Sequence, residues 1–161
     1  MKTHGVVFTK TNTVEYQPVT CPEPDDHDVV VRVTHSWISN GTEGSFLRGE
    51  RLSGEIPYRP GDVMPFPIIS GYQQVGIVEW VGSRVEHLAV GDSVFCGTGK
   101  VNGMFDSYGG HVSPSVTPAN GVLKLPDTID PVAFSGLILT QVGYNCAMRA
   151  PVELHWPAMV L

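Results

Sequence analysis

The stretch from Pro65 to Gly82, PFPIISGYQQVGIVEWVG, limits what this chain can fold into more than any other. Two prolines and the apolar pair Ile68-Ile69 lead into Gly71. Beyond it Val75, Ile77 and Glu79 share one face, and Gly76, Val78 and Trp80 share the other. Period-two alternation of this kind predicts a strand. Gly71 and Gly76 interrupt it, and a glycine in a strand marks a bulge or a close backbone approach. Gly82-Ser83 ends the run as a turn. The stretch therefore predicts a strand that enters from a proline-fixed loop, bends at a glycine, and presents Tyr72 and Gln73 at the bend.

Other segments support a mainly β protein. Gly5 to Thr9 and Thr13 to Val19 read as strands, the second at a sheet edge because it holds Pro18. Thr20 to Asp28 clusters prolines and acids and reads as a loop. Asp28 to Thr34, DVVVRVT, is a clear strand with Val29, Val31 and Val33 on one face and Val30 and Arg32 on the other. Ser93 to Cys96, Tyr108 to Val116 and Gly121 to Leu125 are further strand segments. Arg51 to Pro67 reads as a loop. The 18 glycines and 13 prolines fit many short strands and turns. One long helix is predicted from Pro131 to Arg149. Asp130 is its N-cap, Pro131 its first residue and Pro151 its stop, and Gly136 and Gly143 weaken it.

Two loops hold chemistry-bearing residues. His35 to Gly49, HSWISNGTEGSFLRG, reads as a strand end, a polar loop and one helical turn at Ser45 to Leu47. A polar loop after a buried strand is a site candidate. Its Asn-Gly and Glu-Gly pairs are equally ordinary turn chemistry, so both readings stay open. Cys96 to Gly110 is rich in glycine, but Lys100 is followed by Val101, not by the Ser or Thr of a phosphate loop.

Composition excludes several classes. A chain of 161 residues fits one domain, and such a domain buries roughly 70% of its unfolded surface. Hydrophobic residues at 42% and charged residues at 16% describe an ordered globular protein. The net charge of −6 argues against a nucleic-acid partner. No run approaches the ~18 apolar residues of a membrane span, so no membrane partner is expected. MKTHGVVFTK lacks an apolar signal region, and Cys21, Cys96 and Cys146 are an odd, widely spaced set. Both features predict a reducing, cytoplasmic setting without disulfides.

The order of these signals resembles the GroES-like catalytic domain of the medium-chain dehydrogenases/reductases, the alcohol-dehydrogenase-like superfamily. The likeness runs from about Asp28 to Leu161. It rests on DVVVRVTHSWISNGTE, on PIISGYQQVGIVEWVGSRVEHLAVGDSVF, on GGHVSPSVTPANGVLKLPDTID and on the helix with LTQVGYNCA. It implies a GroES-like irregular β-barrel with one long C-terminal helix. The domain would cover residues 1–150, and residues 151–161 would begin a nucleotide-binding domain cut short. The resemblance also implies hydride transfer between an alcohol or carbonyl substrate and NAD or NADP.

Zinc-dependent members place metal ligands at the positions of Ser39, Tyr72 and Ile138. Catalytic zinc needs three N, S or carboxylate donors, which these three residues do not supply, and Gln73 stands where the family has Glu. No zinc is expected. The six histidines, His111 among them, form no close pair in sequence and read as scattered loop or surface residues. The Ser-x-Gly-Thr-Glu run, Ser39 to Glu43, is similar to that of zinc-lacking bacterial members, among them bacteriochlorophyllide dehydrogenase.

The resemblance then implies roles. Tyr72, Ser39 and Thr42 would donate hydrogen bonds to the substrate oxygen, and Glu43 would orient them or relay the proton. Asn40, Gln141 and Val142 would approach the cofactor. No dinucleotide fingerprint follows a strand anywhere in the chain, so the isolated chain is expected to be inactive and to bind no cofactor. It would rely on the missing nucleotide-binding domain, and its helix would expose an apolar face that favours self-association. The alternative is a non-catalytic binding or assembly module that reuses the barrel.

Overall fold

The computed structural model describes residues 1–150. The part assigned from sequence to a nucleotide-binding domain, residues 151–161, lies outside the described residues. The strands are β1 Lys2–Lys10, β2 Thr13–Thr20, β3 Asp28–Ser36, β4 Arg51–Ser53, β5 Ile56–Pro57, β6 Gln74–Val81, β7 Ser93–Cys96, β8 Gly99–Lys100, β9 Tyr108–Gly109, β10 Val112–Ser113, β11 Ser115–Pro118 and β12 Val122–Lys124. The helices are α1 Asn40–Leu47 and α2 Leu137–Arg149. The mainly β architecture with a C-terminal helix agrees with the GroES-like expectation.

Two antiparallel sheets form the barrel. One runs β10-β1-β2 and the other β11-β3-β6-β7-β12. Pro18 lies on β2, an edge strand, where its missing N–H costs no ladder bond. Strand β3 is central, and its first half, Asp28 to Val31, is buried on both faces. Val30 packs with Val7, Val19, Ile69 and Val116, while Val29 and Val31 pack on the opposite face with Val78, Val94 and Cys96. Burying each such valine contributes roughly 1.5–3 kcal/mol. Lys100 bonds Asp28 at 2.6 Å and Asp25 at 3.1 Å, which ties β8 to the start of β3.

The central stretch behaves as its glycines imply. Gly71 has φ of +88°, a backbone that L side chains rarely adopt. A Cβ on Gly76 would stand 2.4 Å from the Arg32 carbonyl oxygen. Opposite Gly76 the β3 register shifts between Val33 and His35, so Thr34 is the extra residue of a bulge.

Four segments differ from the sequence reading. Tyr108 to Val116, read as one strand, is divided among β9, β10 and the start of β11, which belong to three sheets. The polar loop after β3 contains the eight-residue α1, not one turn. Arg51 to Pro67 contains the short β4-β5 hairpin. The C-terminal helix begins at Leu137, after a separate 3-10 turn at Pro131–Phe134. Asp130 caps that turn, accepting from Val132 N–H at 3.0 Å. Gly136, which packs against the Trp37 ring, separates the two pieces.

Candidate active site

Local sequence places a carboxylate inside the barrel. Ser39 is extended and precedes the first turn of α1, and Glu43 sits in that turn. The two residues bond reciprocally. Ser39 N–H donates to Glu43 Oε1 at 2.7 Å, and Glu43 N–H donates to the Ser39 carbonyl at 2.9 Å. A carboxylate near a helix N-terminus also lies in a favourable dipole field. Phe46, one turn on, packs with Phe8 and Ile68 and holds the helix against β1. Glu43 is consequently 3% exposed.

A buried carboxylate is costly unless it is hydrogen-bonded, and Glu43 is. Ser70 Oγ donates to its Oε2 at 3.2 Å, and His111 Nε2 lies 2.6 Å from the same oxygen. The His111 side chain is itself 7% exposed. Its Nδ1 lies 2.8 Å from Ser36 Oγ. Two protonation states satisfy both ring contacts: a neutral ring that donates from Nε2 and accepts from Ser36, and a charged ring that donates from both nitrogens.

Glycines make this arrangement possible. A Cβ on Gly71 would stand 2.6 Å from His111 Nε2, and one on Gly110 would stand 2.4 Å from the Gly71 carbonyl carbon. Gly110 N–H meanwhile donates to the Ser70 carbonyl at 2.9 Å. The segment before β6 and the segment before β10 thus lie backbone to backbone, with the imidazole stacked on the bend.

Glu43 opens on a cleft of about 380 Å³ that Thr42, Ser70, Tyr72, Asp106 and Ile138 also line, over apolar walls from Phe46 and Ile68. A smaller cavity of about 230 Å³ lies beyond α1, bordered by Ile38, Asn40, Glu43 and His111. Glu43 therefore borders both cavities. The cleft combines a few polar groups with an apolar lining, the usual make-up of a small-molecule site.

Thr42, Glu43 and Tyr72 meet in the cleft. Ser39 is buried and reaches the site through its backbone N–H. Asn40 is exposed at the start of α1 and borders the second cavity. Gln141 and Val142 are exposed on α2 and are not among the residues that line the cleft. Gln73 is fully buried, and neither polar atom of its amide has a hydrogen-bond partner among the described residues.

The sequence reading passed over His111, Ser70 and Ser36. His111 is not a scattered surface histidine. Its one sequence signal was the preceding Gly109-Gly110 pair, the mark of a close backbone approach. Ile138, which has no donor atom, lines the cleft beside Tyr72. Ser39, Tyr72 and Ile138 together do not make a zinc donor set. Among the described residues, no group of three His, Cys, Asp or Glu side chains is placed to hold a metal ion.

A curled, mainly β barrel with a C-terminal helix is the architecture of a GroES-like domain. The family model for the alcohol dehydrogenase GroES-like domain matches residues 25–127, and the chain belongs to that family. It is 31% identical over 140 residues to 2-desacetyl-2-hydroxyethyl bacteriochlorophyllide A dehydrogenase of Cereibacter sphaeroides, covering 81% of this chain and 40% of that protein. It is 30% identical over 165 residues to an alcohol dehydrogenase of Geobacillus stearothermophilus, covering 90% of this chain and 46% of that one. The chain therefore spans less than half the length of either relative. Among solved structures, CAD from Helicobacter pylori complexed with NADP(H) superposes with a TM-score of 0.69 over 91% of this chain and 49% of its own. At 14% identity this likeness speaks for the fold alone.

Proposed function

We propose that this chain is the substrate-binding domain of a zinc-independent, NAD(P)-dependent alcohol-dehydrogenase-like oxidoreductase of the cytoplasm. The observation that carries this reading is the buried Glu43 carboxylate opening beside the Tyr72, Thr42 and Ser70 hydroxyl groups in one cleft. A bound nicotinamide would supply or accept the hydride. Without a metal as Lewis acid, the substrate oxygen needs hydrogen-bond donors and a route for its proton. Tyr72 and Thr42 donate to that oxygen, Glu43 takes or gives the proton, and Ser39 holds Glu43 in place through its N–H.

Asn40, Gln141 and Val142 are all exposed, so they are open to a cofactor held from outside the barrel. None of them provides a pyrophosphate cradle, and that task falls to a nucleotide-binding domain. The exposed apolar side chains of α2 pack on that domain, and the chain alone self-associates through them.

NADH and NADPH binding by calorimetry tests this reading, with the 161-residue protein measured beside a version extended through a nucleotide-binding domain. The expected result is binding and carbonyl reduction by the extended protein only, with Tyr72→Phe lowering kcat/KM by about tenfold or more. Absence of reductase activity across alcohol and carbonyl substrates would overturn it.

A further inference from the structure

Glu43 has a second neighbour that substrate binding does not require. His111 faces away from the cleft. It bonds Glu43 Oε2 through Nε2 at 2.6 Å and Ser36 Oγ through Nδ1 at 2.8 Å. Ser36 is exposed at the end of β3, whereas Glu43 and the His111 ring are buried. On the cleft side, Ser70 Oγ donates to the same carboxylate oxygen. Four proton-carrying groups from separate segments thus stand in line from the cleft to the outer surface. An imidazole that serves only to neutralise a carboxylate needs one contact. This ring makes two, one of them to a solvent-exposed hydroxyl.

We propose that Ser70, Glu43, His111 and Ser36 form a proton path between the cleft and solvent, with His111 as its relay. The inference rests on the dehydrogenase reading for the direction of use. In carbonyl reduction Glu43 gives its proton to the substrate oxygen by way of Ser70: the Ser70 hydroxyl proton goes to that oxygen as Ser70 takes one from Glu43, whose carboxylate draws it from His111. The Nε2 proton of His111 moves to Glu43, the Ser36 hydroxyl proton moves to Nδ1, and water restores Ser36. One proton enters and one is consumed, beside the hydride from the nicotinamide. Alcohol oxidation runs the same transfers in reverse. The ring returns to its starting tautomer by exchange with water between turnovers. His111 never touches the substrate and is a relay and positioning residue.

The first test needs no activity. Histidine-labelled 161-residue protein is studied by nitrogen-15 NMR, following exchange of the His111 ring protons with water. The expected result for Ser36→Ala is slower exchange, on the order of tenfold, with the Glu43 contact still visible as a downfield Nε2 proton. Glu43→Gln shifts that proton upfield. Unchanged exchange in Ser36→Ala, with the backbone spectrum intact, would overturn the path.

The second test uses the catalytically competent extended protein. His111→Gln keeps a hydrogen bond to Glu43 but passes no proton. It is expected to lower kcat by about a hundredfold with KM little changed. Added imidazole is expected to restore part of the activity of His111→Gly. An active enzyme indifferent to His111→Gln sinks the path and leaves the dehydrogenase reading standing. An inactive parent sinks that reading, while the exchange measurement still decides the path.

Discussion

The barrel and the C-terminal helix treat apolar residues in opposite ways. In β3, Val29 and Val31 are 0% exposed and Val30 is 7% exposed, each face of the strand serving a different core cluster. Helix α2 buries no residue, and Val142, Tyr144 and Met148 are 54%, 62% and 67% exposed. The start of α2 packs on the barrel, where Leu137 and Ile138 meet Val75, Phe95 and Leu125. Period-two alternation carries its own partner, because a sheet supplies the neighbouring strand. Helical spacing shows that a face exists and not what covers it. The barrel is thus a self-sufficient unit, and α2 is an arm on it.

The largest expected contrast is chemical. Burial pushes the Cys96 thiol up to about 12, and burial raises the Cys21 thiol as well. Cys146 is exposed on α2. A thiol reagent at pH 8 is expected to label Cys146 at once, and Cys96 more slowly by about a thousandfold or more. Mass spectrometry of the labelled protein in native buffer and in denaturant checks this, and rapid native labelling of Cys96 would break the contrast.

Next come the glycines that bring the barrel segments together. Gly110→Val places side-chain atoms where the Gly71 backbone already lies. It is expected to destabilise the fold by roughly 3 kcal/mol, read as a fall in the urea midpoint. The exposed Gly143 of α2 offers the control, since a Cβ there meets no neighbouring atom. Gly143→Ala is expected to raise helix content slightly and leave the midpoint where it was.

A smaller effect separates the two regions by pH. The Lys124 ammonium, 2.6 Å from Asp92, holds that carboxyl below its ordinary value, and this pair closes the β7-β12 edge. A depressed folded value means the stabilisation is present above the unfolded value of about 3.9. It is lost as pH falls through the folded value. Lys124 is half exposed, so solvent screening limits the contribution to under about 1 kcal/mol. Asp92→Asn is expected to lower stability at pH 7 by that amount and to flatten the acid limb of the stability curve. A mutant curve parallel to the wild type down to pH 2 would rule this out.

The smallest expected effect is on α2 itself. Tyr144→Ser is expected to change barrel stability by under about 0.5 kcal/mol and to reduce the proposed self-association, as read by analytical ultracentrifugation. A clear drop in the melting temperature would mean that the helix contributes to the core after all.

Much of the barrel was legible in the sequence because its signals are local. Ser93 to Cys96 is a strand with those bounds, β3 begins at Asp28 as read, and the bend at Gly71 carries Tyr72 into the cleft. Helix α1 was hidden by Gly41 and Gly44, which remove apolar periodicity. Its start depends on the Ser39-Glu43 bond and on Phe46 packing against Phe8, a tertiary contact. The β4-β5 hairpin has strands too short for alternation to register. Thr42, Glu43 and Tyr72 could be picked out through the family resemblance, which points to the polar stretch after β3 and the bend before β6; the first two lie in α1. His111 could not. Its partner Glu43 is 68 positions away, and only the pairing of β10 with β1 and the stacking of Gly110 on Gly71 bring them together.

One consequence follows from the place of Glu43 between two cavities. A carboxylate offers about four lone-pair positions. Ser39, Ser70 and His111 already take three of them. One seat is left, on Oε1, and Glu43 borders both the cleft and the outer cavity. A hydroxyl arriving from the cleft and a donor arriving from the outer cavity are therefore rivals for one place. Occupancy of the outer cavity by a hydrogen-bond donor would act on the inner one by exclusion, with no change in the shape of the barrel.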